Sequence, residues 1–96
     1  MNANYDIDIL EGATEKLKAL AHPIRFLIVE LLNTNKILSV TEIYEHLHIE
    51  QAVASHHLRI LKNNNIVKVS RDGKNSNYFL TDNSYFEIVN ALLKTK

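Results

Sequence analysis

Apolar residues recur along the chain at two periods, and the change of period divides it. Between Tyr5 and Leu20, the residues Ile7, Leu10, Ala13, Leu17 and Leu20 fall at helical spacing, with Asp6, Glu11, Glu15, Lys16 and Lys18 outside the stripe. That spacing predicts an amphipathic first helix. Gly12 inside it costs up to about 1 kcal/mol relative to Ala and points to close packing or a late helix start. Ala21-His22-Pro23 breaks the pattern. Proline suits the first turn of a new helix, where its missing N–H does no harm, and His22 is placed to cap that turn. Ile24, Leu27, Ile28, Leu31 and Leu32 then form the cleanest helical stripe in the chain, predicted as core, and Asn33 to Lys36 read as the closing turn. Residues 1–4 carry no pattern and are expected to be loose.

Ser39-Val40-Thr41-Glu42 has the spelling of a capping box, with a Ser side chain for the orphan N–H groups and a Glu three residues on. It opens a third helix over about 40–47 that buries Val40, Ile43 and Leu47. His48-Ile49-Glu50 is a turn, with Ile49 filling the angle to the next helix. The fourth helix is expected from Gln51 to about Asn63, with Ala54, His57, Leu58 and Leu61 as its buried stripe. His57 is expected to make a hydrogen bond in the core. Asn63-Asn64-Asn65 ends this helix, because Asn tolerates left-handed backbone. The period then shortens. Ile66–Ser70 and Ser76–Leu80 are β-rich runs on either side of Asp72-Gly73, a hairpin signal. Thr81 or Asp82 can cap a last helix to about Lys94, with Phe86, Val89, Leu92 and Leu93 apolar and Tyr85 and Ile88 beside them.

The predicted order is α-α-α-α-β-β-α: a mostly α chain with a small β-hairpin, one domain over residues 1–96. Residues 39–80 read as a helix-turn-helix followed by a hairpin wing. On the outer side of the fourth helix lie Gln51, Ala52, Ser55, His56, Arg59 and Lys62, and the hairpin tip carries Arg71, Lys74 and Asn75. A helix entering a DNA major groove needs short hydrogen-bonding tips for base edges and cations for phosphates.

Charge changes the picture more than composition does. The 96 residues carry 11 Lys/Arg and 11 Asp/Glu, a net charge of zero that by itself argues against nucleic acid. The distribution argues for it. Residues 1–50 hold four basic side chains against eight acids, whereas residues 51–75 hold Arg59, Lys62, Lys68, Arg71 and Lys74 against Asp72 alone. A local basic surface attracts a phosphate backbone whatever the total. There is no Cys, which removes disulfides, thiolate metal sites and thiol switches. No apolar run approaches the ~18 residues of a membrane span, and the N-terminus lacks a secretory signal pattern. A cytoplasmic location is expected.

Catalytic constellations are missing. With Gly12 and Gly73 as the two glycines, there is no phosphate-cradling loop, and there is no Cys nucleophile or G-x-S-x-G. Ser55 and His56 adjoin in sequence, but nothing nearby supplies an orienting acid or an oxyanion site. No enzyme activity and no cofactor are expected. The rival to DNA binding is a winged-helix module that docks on protein; such modules lose the basic recognition face, which this chain keeps.

Three stretches resemble the arsenic-repressor (ArsR-type) family of winged-helix transcriptional regulators. They are Leu20-Ala21-His22-Pro23-Ile24-Arg25, Ser55-His56-His57-Leu58-Arg59-Ile60-Leu61, and the wing residues Arg71-Asp72-Gly73-Lys74 with Tyr78-Phe79-Leu80. The likeness runs from Leu20 to about Leu80. It implies a homodimeric repressor on double-stranded DNA, paired through the first and last helices (1–20 and 82–96), with Ile7, Leu10, Leu17, Phe86, Val89, Leu92 and Leu93 in the interface. It implies two recognition helices about 34–36 Å apart on an inverted repeat. The chain departs from the family at Glu50, where Ser is common before Gln51, at Phe26, where a basic residue is common, and at Asn75, where an aromatic wing residue is common. The family's thiolate metal sensors carry Cys-Val-Cys where this chain has Ser39-Val40-Thr41, which supplies no soft ligand. Others use an Asp and His pair at the start of the last helix, where this chain has Asp82 and Ser84. No metal site is expected, and the effector is not encoded in any pattern.

Overall fold

Asp6 caps the first helix, which begins with the apolar stripe at Ile7, two residues after Tyr5. In the computed structural model, which describes residues 5–96, its Oδ1 accepts the N–H groups of Asp8 (2.8 Å) and Ile9 (3.4 Å), and α1 runs Ile7–Leu20. The loose start expected for residues 1–4 lies outside the described residues. Gly12 marks no close packing within the protomer, since a Cβ there would meet nothing within 4 Å.

Helix α2 spans Pro23–Asn35 and is capped by the His22 side chain, whose Nδ1 accepts the Ile24 N–H at 3.0 Å. It outlasts the predicted end by most of a turn. Thr34 and Asn35 return their side chains to the carbonyls of Glu30 and Leu31, and Lys36 takes the positive φ of 69° that ends the helix. Ile28, Val29 and Leu32 are fully buried, but Leu27, predicted as core, is exposed. The buried face of α2 is turned toward Val29 relative to the stripe read from the sequence.

A two-residue strand, β1 (Leu38–Ser39), precedes α3 (Val40–Leu47). Ser39 and Glu42 form the reciprocal capping box: the Glu42 N–H donates to Ser39 Oγ at 3.1 Å, and the Ser39 N–H donates to Glu42 Oε1 at 3.0 Å. The second bond holds the Glu42 carboxyl below the usual carboxylate range. His48, left-handed at φ 54°, turns the chain into α4 (Gln51–Asn63), whose bounds and buried residues Ala54, His57, Leu58 and Leu61 match the sequence pattern. Left-handed Asn65 then leads into β2 (Val67–Asp72), which pairs antiparallel with β3 (Asn75–Leu80). The sheet order is β1-β3-β2, with Leu38 opposite Tyr78.

Helix α5 runs Ser84–Lys94. Asp82 Oδ1 accepts the Ser84 N–H at 2.8 Å, whereas Thr81 hydrogen-bonds back to the carbonyls of Asn65 and Ile66 and closes the base of the hairpin. The core joins Leu20, Ile28, Val29, Leu32, Ile43, Leu58, Leu61, Ile66, Val67 and Val89 around α2. Val89 requires a correction. Expected in a dimer interface, it has 0% exposure and faces the protomer's own core, where α5 packs on α2.

Candidate nucleic-acid interface

Because Ala54, His57, Leu58 and Leu61 are held inward, the opposite face of α4 is held outward. Gln51, Ala52, His56, Arg59 and Lys62 are exposed along it, and Ser55 is half-buried. Val53, left out of the sequence-derived set, shares the exposed surface of the first turn. Glu50 stands at the N-cap without a side-chain hydrogen bond, so the first N–H groups of α4 have no side-chain cap. This is the physical consequence of Glu in place of a short capping residue.

The wing places the second group. Asp72 pairs with Asn75, so the turn residues are Gly73 and Lys74 rather than Asp-Gly, with Gly73 at φ 60°. A two-residue hairpin turn with positive φ at its first central position favours glycine there. Arg71, Lys74 and Asn75 are all exposed. Arg71 stands opposite Ser76 and donates from its guanidinium to Ser76 Oγ at 3.2 Å, which draws the arginine across the ribbon.

Among the described residues one ion pair forms, Glu15–Lys18 on α1. Arg59, Lys62, Lys68, Arg71 and Lys74 therefore have no carboxylate within salt-bridge distance among those residues. Helix α4 and the wing tip together offer unneutralised cations beside uncharged hydrogen-bonding side chains.

His56 and His57 diverge as adjacent helical residues must. His56 is exposed; His57 is buried, at 7% exposure. The hydrogen bond expected of His57 in the core is not made by Nδ1, which has no partner. Its ring instead lies against that of His22, with centroids 4.3 Å apart. Burial, and then the neighbouring His22, push the His57 pKa below its ordinary value. Sequence periodicity locates the buried ring but carries no signal for its partner on α2.

The Ser39 side chain caps α3, and Asp82 accepts the N–H of Ser84 at the start of α5. Among the described residues, no three His, Cys, Asp or Glu side chains are grouped to hold an ion. No helix of the described residues is long and apolar enough to cross a membrane.

Of the residues expected in a dimer interface, Ile7, Leu17, Leu92 and Leu93 are exposed, and Leu10 and Phe86 are half-buried. Leu27 and Ile88, absent from the expected set, add to the exposed apolar surface of α2 and α5. Leu27, Phe26 and Leu93 wall an apolar groove of about 540 Å³, with His22 and Glu30 at its margin.

Residues 22–69, from the cap of α2 into β2, match the bacterial regulatory protein, arsR family. A transcriptional regulator of the helix-turn-helix type from Methanocaldococcus jannaschii is 38% identical over 79 residues, covering 82% of this chain and 89% of the relative. The transcriptional repressor SmtB of Mycobacterium tuberculosis is 39% identical over 82 residues, covering 85% of this chain and 60% of that repressor's length. The crystal structure of the transcriptional repressor PagR of Bacillus anthracis superposes with a TM-score of 0.82 at 32% identity, over 91% of this chain and 99% of PagR. With its winged helix-turn-helix, its matched segment and these relatives, the chain belongs to the arsR family of bacterial transcriptional regulators.

Proposed function

We propose that the chain is a homodimeric repressor that binds double-stranded DNA through α4 and the wing. The observation that carries this is the unpaired basic face: Arg59 and Lys62 on α4 and Arg71 and Lys74 on the wing, with no carboxylate of the described residues in reach. Gln51, Ser55, His56 and Arg59 reach bases or nearby phosphates in the major groove, with Ala52 lying against the groove floor. Lys62, Arg71, Lys74 and Asn75 engage the backbone. The pairing surface consists of Ile7, Leu10 and Leu17 of α1 with Phe86, Leu92 and Leu93 of α5; Val89 is replaced in that role by Ile88. The names of the relatives support repression as the output. The cytoplasm is the compartment this function implies, and it includes no enzymatic step.

The test is duplex affinity against salt. Each phosphate neutralised contributes about −0.9 to the slope of log affinity on log salt, so four cations per protomer set a limit of about −7 for a dimer. A slope of several units supports the proposal. Duplex affinity that is weak at low salt and flat with salt would point to a protein-docking module instead.

A further inference from the structure

We propose that His22 and His57 form a proton-sensitive latch between the start of α2 and the recognition helix α4, closed when the His57 ring is neutral and released when it is charged. That its release reaches DNA rests on the function proposed above; the latch itself is a property of the fold.

The geometry has three parts. First, His22 caps α2 through an unprotonated nitrogen: Nδ1 accepts the Ile24 N–H at 3.0 Å. A ring nitrogen that accepts carries no proton, which puts the proton of neutral His22 on Nε2. A second proton, on Nδ1, would set N–H against N–H and remove the cap. The first turn of α2 contains no acidic residue to hold such a cation, and the helix dipole is positive at that end. Second, the ring of His57 lies 4.3 Å from that of His22 at a 39° tilt, buried and with Nδ1 unpartnered. The same side chain that starts α2 therefore forms the seat of α4. Third, the ionisable groups that act on His57 are all basic. From α2 come His22 and Arg25, whose Nε is also buried and unpartnered; from α4 itself comes His56, its ring 5.0 Å away. Among the described residues no carboxylate of α1, α2, α3 or β2 lies within salt-bridge distance of His57, and Glu30 shares a groove with His22.

A proton arriving on the buried His57 ring thus meets Arg25, His22 and His56, with no carboxylate of the described residues within salt-bridge distance. Burial and then His22 hold His57 below its ordinary value of 6.5. The unfolded chain then takes up the proton first as pH falls. The ring pairing is at full strength above about pH 6.5, and stability is lost as pH drops below it toward the folded value. The consequence for α4 follows from its packing: its orientation depends on a stripe of four buried residues, and His57 is the one that titrates.

The experiment is a titration of the whole chain from pH 8 to 5 by nuclear magnetic resonance, following the imidazole nitrogens of all five histidines and the Ile24 amide. The expected result is that His57 charges below its ordinary value and that the Ile24 amide and the α4 amides shift with the same midpoint. A His57 that titrates at or above the ordinary value, or Ile24 and α4 amides that ignore its midpoint, overturns the latch. His57→Phe keeps a ring in the seat without a titratable group. The urea midpoint of the wild-type chain should fall between pH 7.5 and 5.5, with a clearly smaller fall in H57F; equal falls would overturn the latch. Duplex binding is compared in the same pair. A loss on acidification that is larger in wild type than in H57F supports the regulatory role, and equal losses overturn it. If no duplex binds at any pH, the proposed function fails while the resonance titration still decides the latch.

Discussion

Replacing Leu92 and Leu93 together by Asp separates pairing from folding. In the protomer these side chains are 50% and 52% exposed, while Val89, one turn earlier on α5, is fully buried. Burying a whole Leu side chain is worth about 1.5–3 kcal/mol, so the exposed half of each is worth about 1 kcal/mol. A two-fold interface uses both residues twice, which amounts to about 4 kcal/mol of apolar burial. That corresponds to a rise of roughly a thousandfold in the dimer Kd, before counting repulsion among the four carboxylates introduced. Sedimentation velocity at tens of micromolar should show wild type near twice the 11.0 kDa chain mass and the double variant at the chain mass. Circular dichroism of the two should coincide. Val89→Asp, by contrast, buries an unpaired carboxylate and should unfold the chain. A double variant whose dimer Kd stays within a few-fold of wild type, or a wild type that sediments as a monomer, would rule out this pairing surface.

Other consequences can be checked individually. Arg59→Ala should cost about 1–3 kcal/mol of operator affinity and relax preference at one position per half-site, measured by fluorescence anisotropy on single-base operator variants; unchanged affinity would remove Arg59 from the site. Lys74→Ala should weaken all duplexes alike and flatten the salt slope by about 1 for each phosphate no longer neutralised, so an altered sequence preference would mean that the wing reads bases. Glu42→Ala should melt below wild type at neutral pH. The Ser39 N–H holds the Glu42 carboxyl below its ordinary value of 4.5, so that stabilisation is complete above this pH and is lost as pH falls through the folded value. The two melting curves should therefore converge in acid, and a constant gap down to pH 2 would count against the capping role of Glu42.

The parts legible in the sequence were those set by local periodicity and caps. Helix α4 could be bounded to the residue because its buried stripe, its outer face and the Asn63-Asn64-Asn65 stop all agree. The Ser39–Glu42 box and the His22 cap were legible for the same reason. Strand β1 was not, because two residues cannot show a period; Leu38 and Ser39 become a strand only because Tyr78 and Asn77 lie alongside. Leu27 and Val89 departed from expectation for a related reason. Periodicity marks an apolar face, but not whether the protomer itself or another surface covers it. Leu27 was expected in the core and is exposed, and Val89 was expected at an interface and is buried where α5 packs on α2. The outward residues of α4 follow directly from its buried ones. That the cations of α4 and the wing stand clear of carboxylates depends on distances that no sequence pattern carries.

Whether two copies of this chain read DNA together can be decided by selection from a random duplex pool with the purified chain at about 0.15 M salt, followed by sequencing. An enriched inverted repeat with half-sites one helical turn apart is the predicted outcome, because two copies of α4 related by a two-fold axis meet successive major grooves. A folded chain that enriches no duplex, or one that enriches a single unrepeated site, would show that α4 and the wing do not act as a paired DNA-reading surface.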